Sequence, residues 1–223
     1  MACAESTLLA VAHDPGLTAF GSSLTAITLA ELGDKTFFMA LILAVRHRPR
    51  WVFIGAFTAL AAVTVISLGL GYGLKELLPP GVVPWIAAAL FLGFGLKLLL
   101  DAQGMAANAA DDEAQDAETA IDRAERGQSY PTAWSVIWEA FGLVFIAELG
   151  DRTQFATIFL ATAPGFTFAG LLAGSLLGHG LVTALAVGAG QWIGKRVNEA
   201  LLYRLSGGLF LVFGLVSLKQ ALG

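Results

Sequence analysis

Two stretches of this chain set the same charged hexapeptide in apolar surroundings: Glu31-Leu32-Gly33-Asp34-Lys35-Thr36 and Glu148-Leu149-Gly150-Asp151-Arg152-Thr153. On a helix Glu31 and Asp34 are three residues apart, as are Glu148 and Asp151, so each pair would project to one face and the two pairs could converge. Four carboxylates supply hard oxygen ligands that suit Ca²⁺, Mn²⁺ and Mg²⁺, whereas Cu⁺ or Zn²⁺ would favour sulfur or imidazole. Thr36, Thr153 and Gln154 could add neutral oxygens. Glycine inside a helix costs about 1 kcal/mol relative to alanine. Gly33 and Gly150 therefore point either to close helix contact or to local unwinding, whose bared carbonyls could join the coordination sphere.

Lys35 and Arg152 each follow their glutamate by four residues, a spacing that allows an intrahelical ion pair. Read that way, Glu31–Lys35 and Glu148–Arg152 are neutralised pairs that hold helices together and bind no substrate. Counting charges favours a site instead, because four acids against two bases leave −2. One divalent cation or two protons would neutralise it, and buried acids in like-charged company let protons and metal compete for the same oxygens. Exchange of one divalent ion for two protons is the expected chemistry. His179, between Gly178 and Gly180, is a further candidate as a proton relay, a metal ligand or a buried hydrogen-bonded residue. Glu139 and Asp101 fit either entrance residues or interfacial charges, and we read them as the latter.

These residues need a membrane to hold them. Hydrophobic residues make up 57% of the chain and charged ones 13%, with a mean hydropathy of +0.73, which indicates an all-α integral membrane protein. A charge near a bilayer centre costs roughly 2.5–3.5 kcal/mol, so the two hexapeptides call for a functional reason. Six apolar stretches reach the length of a span, over 17–45, 51–77, 82–103, 134–162, 166–194 and 200–221. Trp51, Trp85, Trp134, Trp138 and Trp192 fall near their ends, as an aromatic belt requires. The glycines of these stretches, among them Gly69, Gly71, Gly93, Gly95, Gly188, Gly190, Gly207, Gly208 and Gly214, read as close-packing surfaces.

The organisation expected is an N-terminal segment 1–16, a first three-helix repeat 17–103, an acidic cytoplasmic linker 104–133 and a second three-helix repeat 134–223. The linker reads as a solvated, partly helical connector without an apolar face wide enough to pack. Cys3 is the only cysteine, so an intramolecular disulfide is excluded. The first sixteen residues have no Lys or Arg, which argues against a cleaved signal and leads us to expect a mature chain as written. Arg46, Arg48 and Arg50, Arg123 and Arg126, and Lys195, Arg196 and Arg204 all fall on one side of the six stretches. The positive-inside bias then puts both termini outside the cytoplasm.

An offset of 117 superposes the hexapeptides, and an offset of 119 superposes the stretches that follow: Gly55, Thr64, Gly69 and Gly71 meet Gly174, Thr183, Gly188 and Gly190. Phe91-Leu92-Gly93-Phe94-Gly95-Leu96 likewise meets Phe210-Leu211-Val212-Phe213-Gly214-Leu215. Three spans per half is an odd number, so the halves form an inverted-topology repeat with a substrate site at the interface.

The twin Glu-x-Gly-Asp-Lys/Arg-Thr motifs in a duplication of this length resemble the Gdt-like family of Ca²⁺/Mn²⁺:H⁺ antiporters, and the resemblance covers nearly the whole chain. It implies divalent cation exchange against protons, with Mn²⁺ efflux typical of bacterial members and Golgi or chloroplast loading in eukaryotic ones. By position it assigns Glu31, Asp34, Glu148 and Asp151 to the metal and proton site, with Thr36, Thr153 and Gln154 in support. The first motif has Phe37 where the second has Gln154. The reading is a multi-pass Mn²⁺ exporter of a bacterial inner membrane, with cations, protons and lipid as partners, no nucleic acid, and no cofactor besides the transported ion. The rivals are a divalent cation channel, since acids also select cations in pores, and an intramembrane metal-dependent hydrolase using His179. The hydrolase lacks a His-Glu-x-x-His motif or a serine nucleophile elbow.

Overall fold

The computed structural model describes residues 14–79, 81–104, 109–126, 132–163, 165–193 and 199–222. Among these residues there are nine helices and no strand. They are α1 (Pro15–Glu31), α2 (Lys35–Arg46), α3 (Pro49–Leu77), α4 (Val82–Gly104), α5 (Ala109–Glu125), α6 (Ala133–Glu148), α7 (Arg152–Thr162), α8 (Phe168–Ile193) and α9 (Glu199–Leu222). Cys3, Lys195 and Arg196 lie outside the described residues, as do the side chains of Arg152 and Trp192.

Local chemistry sets the helix starts. Asp14 caps α1 by accepting from the N–H groups of Gly16 and Leu17 at 2.7 and 3.0 Å, and Pro15 and Pro49 occupy first-turn positions where no donor is needed. Thr132 caps α6. Two of the expected spans are broken: 17–45 divides into α1 and α2, and 134–162 into α6 and α7, which are bent by 67° to one another. Among the described residues, four helices are long and apolar enough to cross a membrane, within α3, α4, α8 and α9, and the bent pair α6–α7 makes a fifth if it counts as one span. The six apolar stretches expected from hydropathy thus become four continuous helices and two broken segments, because a hydropathy window adds up apolar length and does not register a turn inside it.

Packing repeats itself when the halves are exchanged. α1 packs on α8 as α6 packs on α3, α2 on α8 as α7 on α3, while α3 meets α8 and α4 meets α9. The glycine contacts follow the same rule. A Cβ at Gly55 would collide with the Ile137 carbonyl and Ala140, and one at Gly174 with the Phe20 carbonyl and Ser23, the equivalent positions of the other half. Gly95 lies against Leu211 and Gly214 against Leu92 in the same reciprocal way. Close packing therefore holds for Gly71, Gly95, Gly207 and Gly214. Gly69, Gly93, Gly188 and Gly208 have open space instead, so for them the packing expectation is corrected. The outward faces carry Val65, Ile66, Leu70, Leu96, Leu181, Leu215, Trp85, Trp134 and Trp138 in exposed positions, as a chain solvated by lipid requires.

The linker departs from its expected form. Helix α5 places Ala114, Ala117 and Ile121, spaced three and four residues apart, against α2 and α6, with Ala117 and Ile121 fully buried. Two alanines and one isoleucine make a narrow apolar stripe that suffices because α2 and α6 meet it closely. Its acids pair outward: Arg46 of α2 lies 2.6 Å from Asp122, 2.7 Å from Glu125 and 3.5 Å from Glu118.

Candidate metal centre

Both hexapeptides fold into the same helix–turn–helix break. Glu31 closes α1 and Asp34 stands at the N-cap position of α2; Glu148 closes α6 and Asp151 caps α7 by accepting from the Thr153 N–H. The turn needs a left-handed residue, and Gly33 (φ 78°) and Gly150 (φ 88°) supply it. In each copy the aspartate N–H donates to the glutamate carbonyl at 3.2 Å, and the next helix opens with an N–H donated to the aspartate carbonyl, from Phe38 and from Phe155, also at 3.2 Å. The single continuous helix that would have put Glu and Asp on one face is therefore not formed. Unwinding is the outcome, and it brings the helix ends to the site: the C-termini of α1 and α6 offer partial negative charge to a cation.

The side chains converge all the same. Glu31 and Glu148 are 2% and 1% exposed, and Asp34 is buried beside them. One carboxylate oxygen from each of Glu31, Asp34 and Glu148 lies within 4.8 Å of the others, a spacing in which one hard divalent ion could be held. The Thr36 hydroxyl donates to Glu31 Oε2 at 3.1 Å, and the Thr153 hydroxyl to Glu148 Oε2 at 3.1 Å. Each threonine fixes one oxygen of its glutamate, while Oε1 of each is buried with no hydrogen-bond partner. Two unsatisfied buried carboxylate oxygens are costly unless a cation or proton completes them.

His179 joins this group. Its Nδ1 lies 3.8 Å from Glu31 Oε1 and is itself buried without a hydrogen-bond partner. A small cavity of about 10 Å³, lined by Glu31, Thr36, His179 and Thr183 among apolar neighbours, adjoins it, about enough for one water-sized occupant. Thr183 was marked in the sequence only as the repeat partner of Thr64.

The copies differ in two ways. Asp151 is half-buried and stands outside the three-carboxylate group; its Oδ2 accepts from the Thr153 N–H at 3.2 Å and, 3.1 Å from the Thr153 hydroxyl, shares that one proton with Glu148 Oε2. Gln154 turns its Oε1 back to accept from the Gly150 N–H at 2.7 Å, so that oxygen braces the turn. Phe37, its counterpart, packs edge-on against Phe38 in the core. The Glu31–Lys35 helical pair is also corrected: the break puts the two residues on different helices, and Lys35 Nζ lies 3.4 Å from Asp116 of α5. The side chain of Arg152 lies outside the described residues. Glu139, expected as an interfacial charge, has its side chain buried near His47, a residue the sequence did not single out. Nothing in the spacing of His47, Glu125 and Glu139 along the chain announces that they meet. Asp101 is exposed, as an interfacial charge would be.

The profile of the divalent cation/proton antiporter family GDT1 matches residues 19–106 and again 136–223, one match per repeat. A GDT1-like protein of the cyanobacterium Synechocystis sp. is 43% identical over 202 residues, 90% of this chain and 97% of that protein. The chloroplastic protein PAM71 of Arabidopsis thaliana is 38% identical over 212 residues, and the chloroplastic GDT1-like protein 1 of Oryza sativa subsp. japonica 37% over 216. The chain spans 56% and 62% of those two plant proteins. No solved structure matches it. With buried acids on twin breaks in a multi-pass membrane fold, and with the family profile covering both halves, the chain belongs to the GDT1 family of divalent cation/proton antiporters, transporters rather than enzymes.

Proposed function

We propose that this antiporter exports Mn²⁺ from a bacterial cytoplasm in exchange for two protons, with Ca²⁺ as a second substrate, and that Glu31, Asp34, Glu148 and Asp151 bind both. The observation that carries the reading is the meeting of three buried carboxylates with unpartnered Glu31 and Glu148 oxygens at paired helix breaks. All-oxygen donors favour hard ions, and Mn²⁺ and Ca²⁺ both accept them. The net charge of −2 across the two motifs makes one divalent ion equivalent to two protons, so the exchange is electroneutral.

On this reading α1–α2 and α6–α7 each count as one broken crossing, giving six crossings, two inverted repeats and both termini outside the cytoplasm. The reciprocal helix contacts support it. Asp34 stands inside the group and Asp151 outside it, a difference that sequence-equivalent residues would exchange as one half rocks against the other. Thr36 and Thr153 orient the glutamates, Gln154 braces the second turn, Lys35 and Arg152 balance charge, and His179 relays protons to Glu31.

The test is ⁵⁴Mn²⁺ and ⁴⁵Ca²⁺ uptake into proteoliposomes under an imposed pH gradient, beside Glu31→Gln and Asp151→Asn. Uptake driven by an acid interior and lost in both variants supports the exchanger and its site. Uptake indifferent to the gradient would instead mean a channel.

A further inference from the structure

We propose that His47, Glu125 and Glu139 form a second divalent-metal site, which takes a first-row ion such as Zn²⁺ or Mn²⁺ and fastens the linker helix α5 to the junction of α2 and α6. Three elements converge there: His47 is the C-cap of α2, Glu125 ends α5, and Glu139 lies in the second turn of α6. One ligand atom from each lies within 4.8 Å of the other two. His47 Nε2 is 2.9 Å from Glu125 Oε1 and 3.8 Å from Glu139 Oε2. The Glu139 side chain is 4% exposed, and its Oε1 is buried with no hydrogen-bond partner. A buried carboxylate aimed at an imidazole, with one oxygen unsatisfied, is an incomplete coordination shell.

The donor set decides the class of ion. One imidazole with two carboxylates suits Mn²⁺ through Zn²⁺, whereas Ca²⁺ and Mg²⁺ prefer oxygen alone. Arg46 does not oppose the ion with a free charge, because Asp122, Glu125 and Glu118 surround its guanidinium. By holding Glu125 Oε2 at 2.7 Å, Arg46 turns Oε1 toward His47, the role an outer partner plays at a metal site. His47, its side chain 11% exposed, also lines an open groove of about 570 Å³. The same α5 reaches Lys35 of the first hexapeptide through Asp116. An ion that holds α5 in place therefore bears on α2, the helix with Asp34 at its N-cap position.

The site is independent of the transport reading, and the test keeps the two apart. Full-length protein carrying Glu31→Gln and Glu148→Gln, reconstituted in nanodiscs, is titrated with Mn²⁺ and with Zn²⁺, and bound Mn²⁺ is examined by pulsed EPR for coupling to imidazole nitrogen. One ion should remain bound with nitrogen coupling. Adding His47→Gln should abolish the coupling, and either His47→Gln or Glu139→Gln should weaken binding about tenfold or more. Glu139→Asp, which keeps the carboxylate, should retain the coupling with weaker affinity. No ion bound to the Glu31→Gln, Glu148→Gln protein, or nitrogen coupling that survives His47→Gln, would overturn the proposal.

Discussion

Each hexapeptide assigns separate work to its residues. Thr36 and Thr153 tie down one glutamate oxygen and leave the other for the cargo, so removing the carboxylate and removing the hydroxyl should have different effects. Glu31→Gln takes away a charged ligand and is expected to weaken Mn²⁺ binding by roughly 10–100-fold. Thr36→Val keeps the charge but loses the orientation, and should raise the half-saturating Mn²⁺ concentration by up to about tenfold; concentration-dependent ⁵⁴Mn²⁺ flux would separate the two. Gly33 sits at φ 78°, where a side chain costs roughly 1–2 kcal/mol. Gly33→Ala should therefore lower the unfolding midpoint and slow flux together, whereas Gly69→Ala, with open space around it, should do neither.

Among the elements, α5 and the glycine crossings depend most on tertiary contact. Ile121 is fully buried between α5 and its neighbours, so Ile121→Ala should cost roughly 2–5 kcal/mol of local packing. The expected outcome is faster cleavage of the 104–133 segment by added protease, while the membrane helices stay intact. The Arg46 pairs with Asp122 and Glu118 are at least half exposed on the acidic side, and each such pair contributes about 0–1 kcal/mol. Asp122→Ala alone should leave the cleavage rate nearly unchanged. At the crossings, Gly55→Leu and Gly174→Leu would each drive a side chain into the backbone of the facing helix. Because those positions are equivalent in the two halves, both should reduce folded yield to a similar extent by size-exclusion chromatography.

For the whole molecule, the proposed exchange has a definite sign. Protons leaving an acid vesicle interior bring Mn²⁺ in, so inverting the pH gradient should invert the net flux of the ion. With one divalent ion balanced by two protons, clamping the membrane potential at zero should leave the rate unchanged; a rate that follows the potential would mean a stoichiometry other than two. Much of this was legible in the residues themselves. Glu31, Asp34 and Glu148 stood out because charge in an apolar run is expensive, and they do meet.

Composition and periodicity alone determined that the chain is helical, lives in a membrane and is built twice, since these follow from summed hydropathy and from identities at a fixed offset. Tertiary structure decided the rest. A glycine between two acids serves a helix crossing or a turn equally well, and only the positive φ of Gly33 and Gly150 chose the turn. That choice separated Glu31 from Lys35 and sent Lys35 to Asp116, while the packing of the halves, with the same turn in both, put Asp34 inside the carboxylate group and Asp151 outside it. The narrow Ala114, Ala117 and Ile121 stripe gained a partner only because α2 ends beside α6. His47 is far from Glu125 and Glu139 in the chain, and contacts between distant residues are fixed by how helices pack, which no local pattern records.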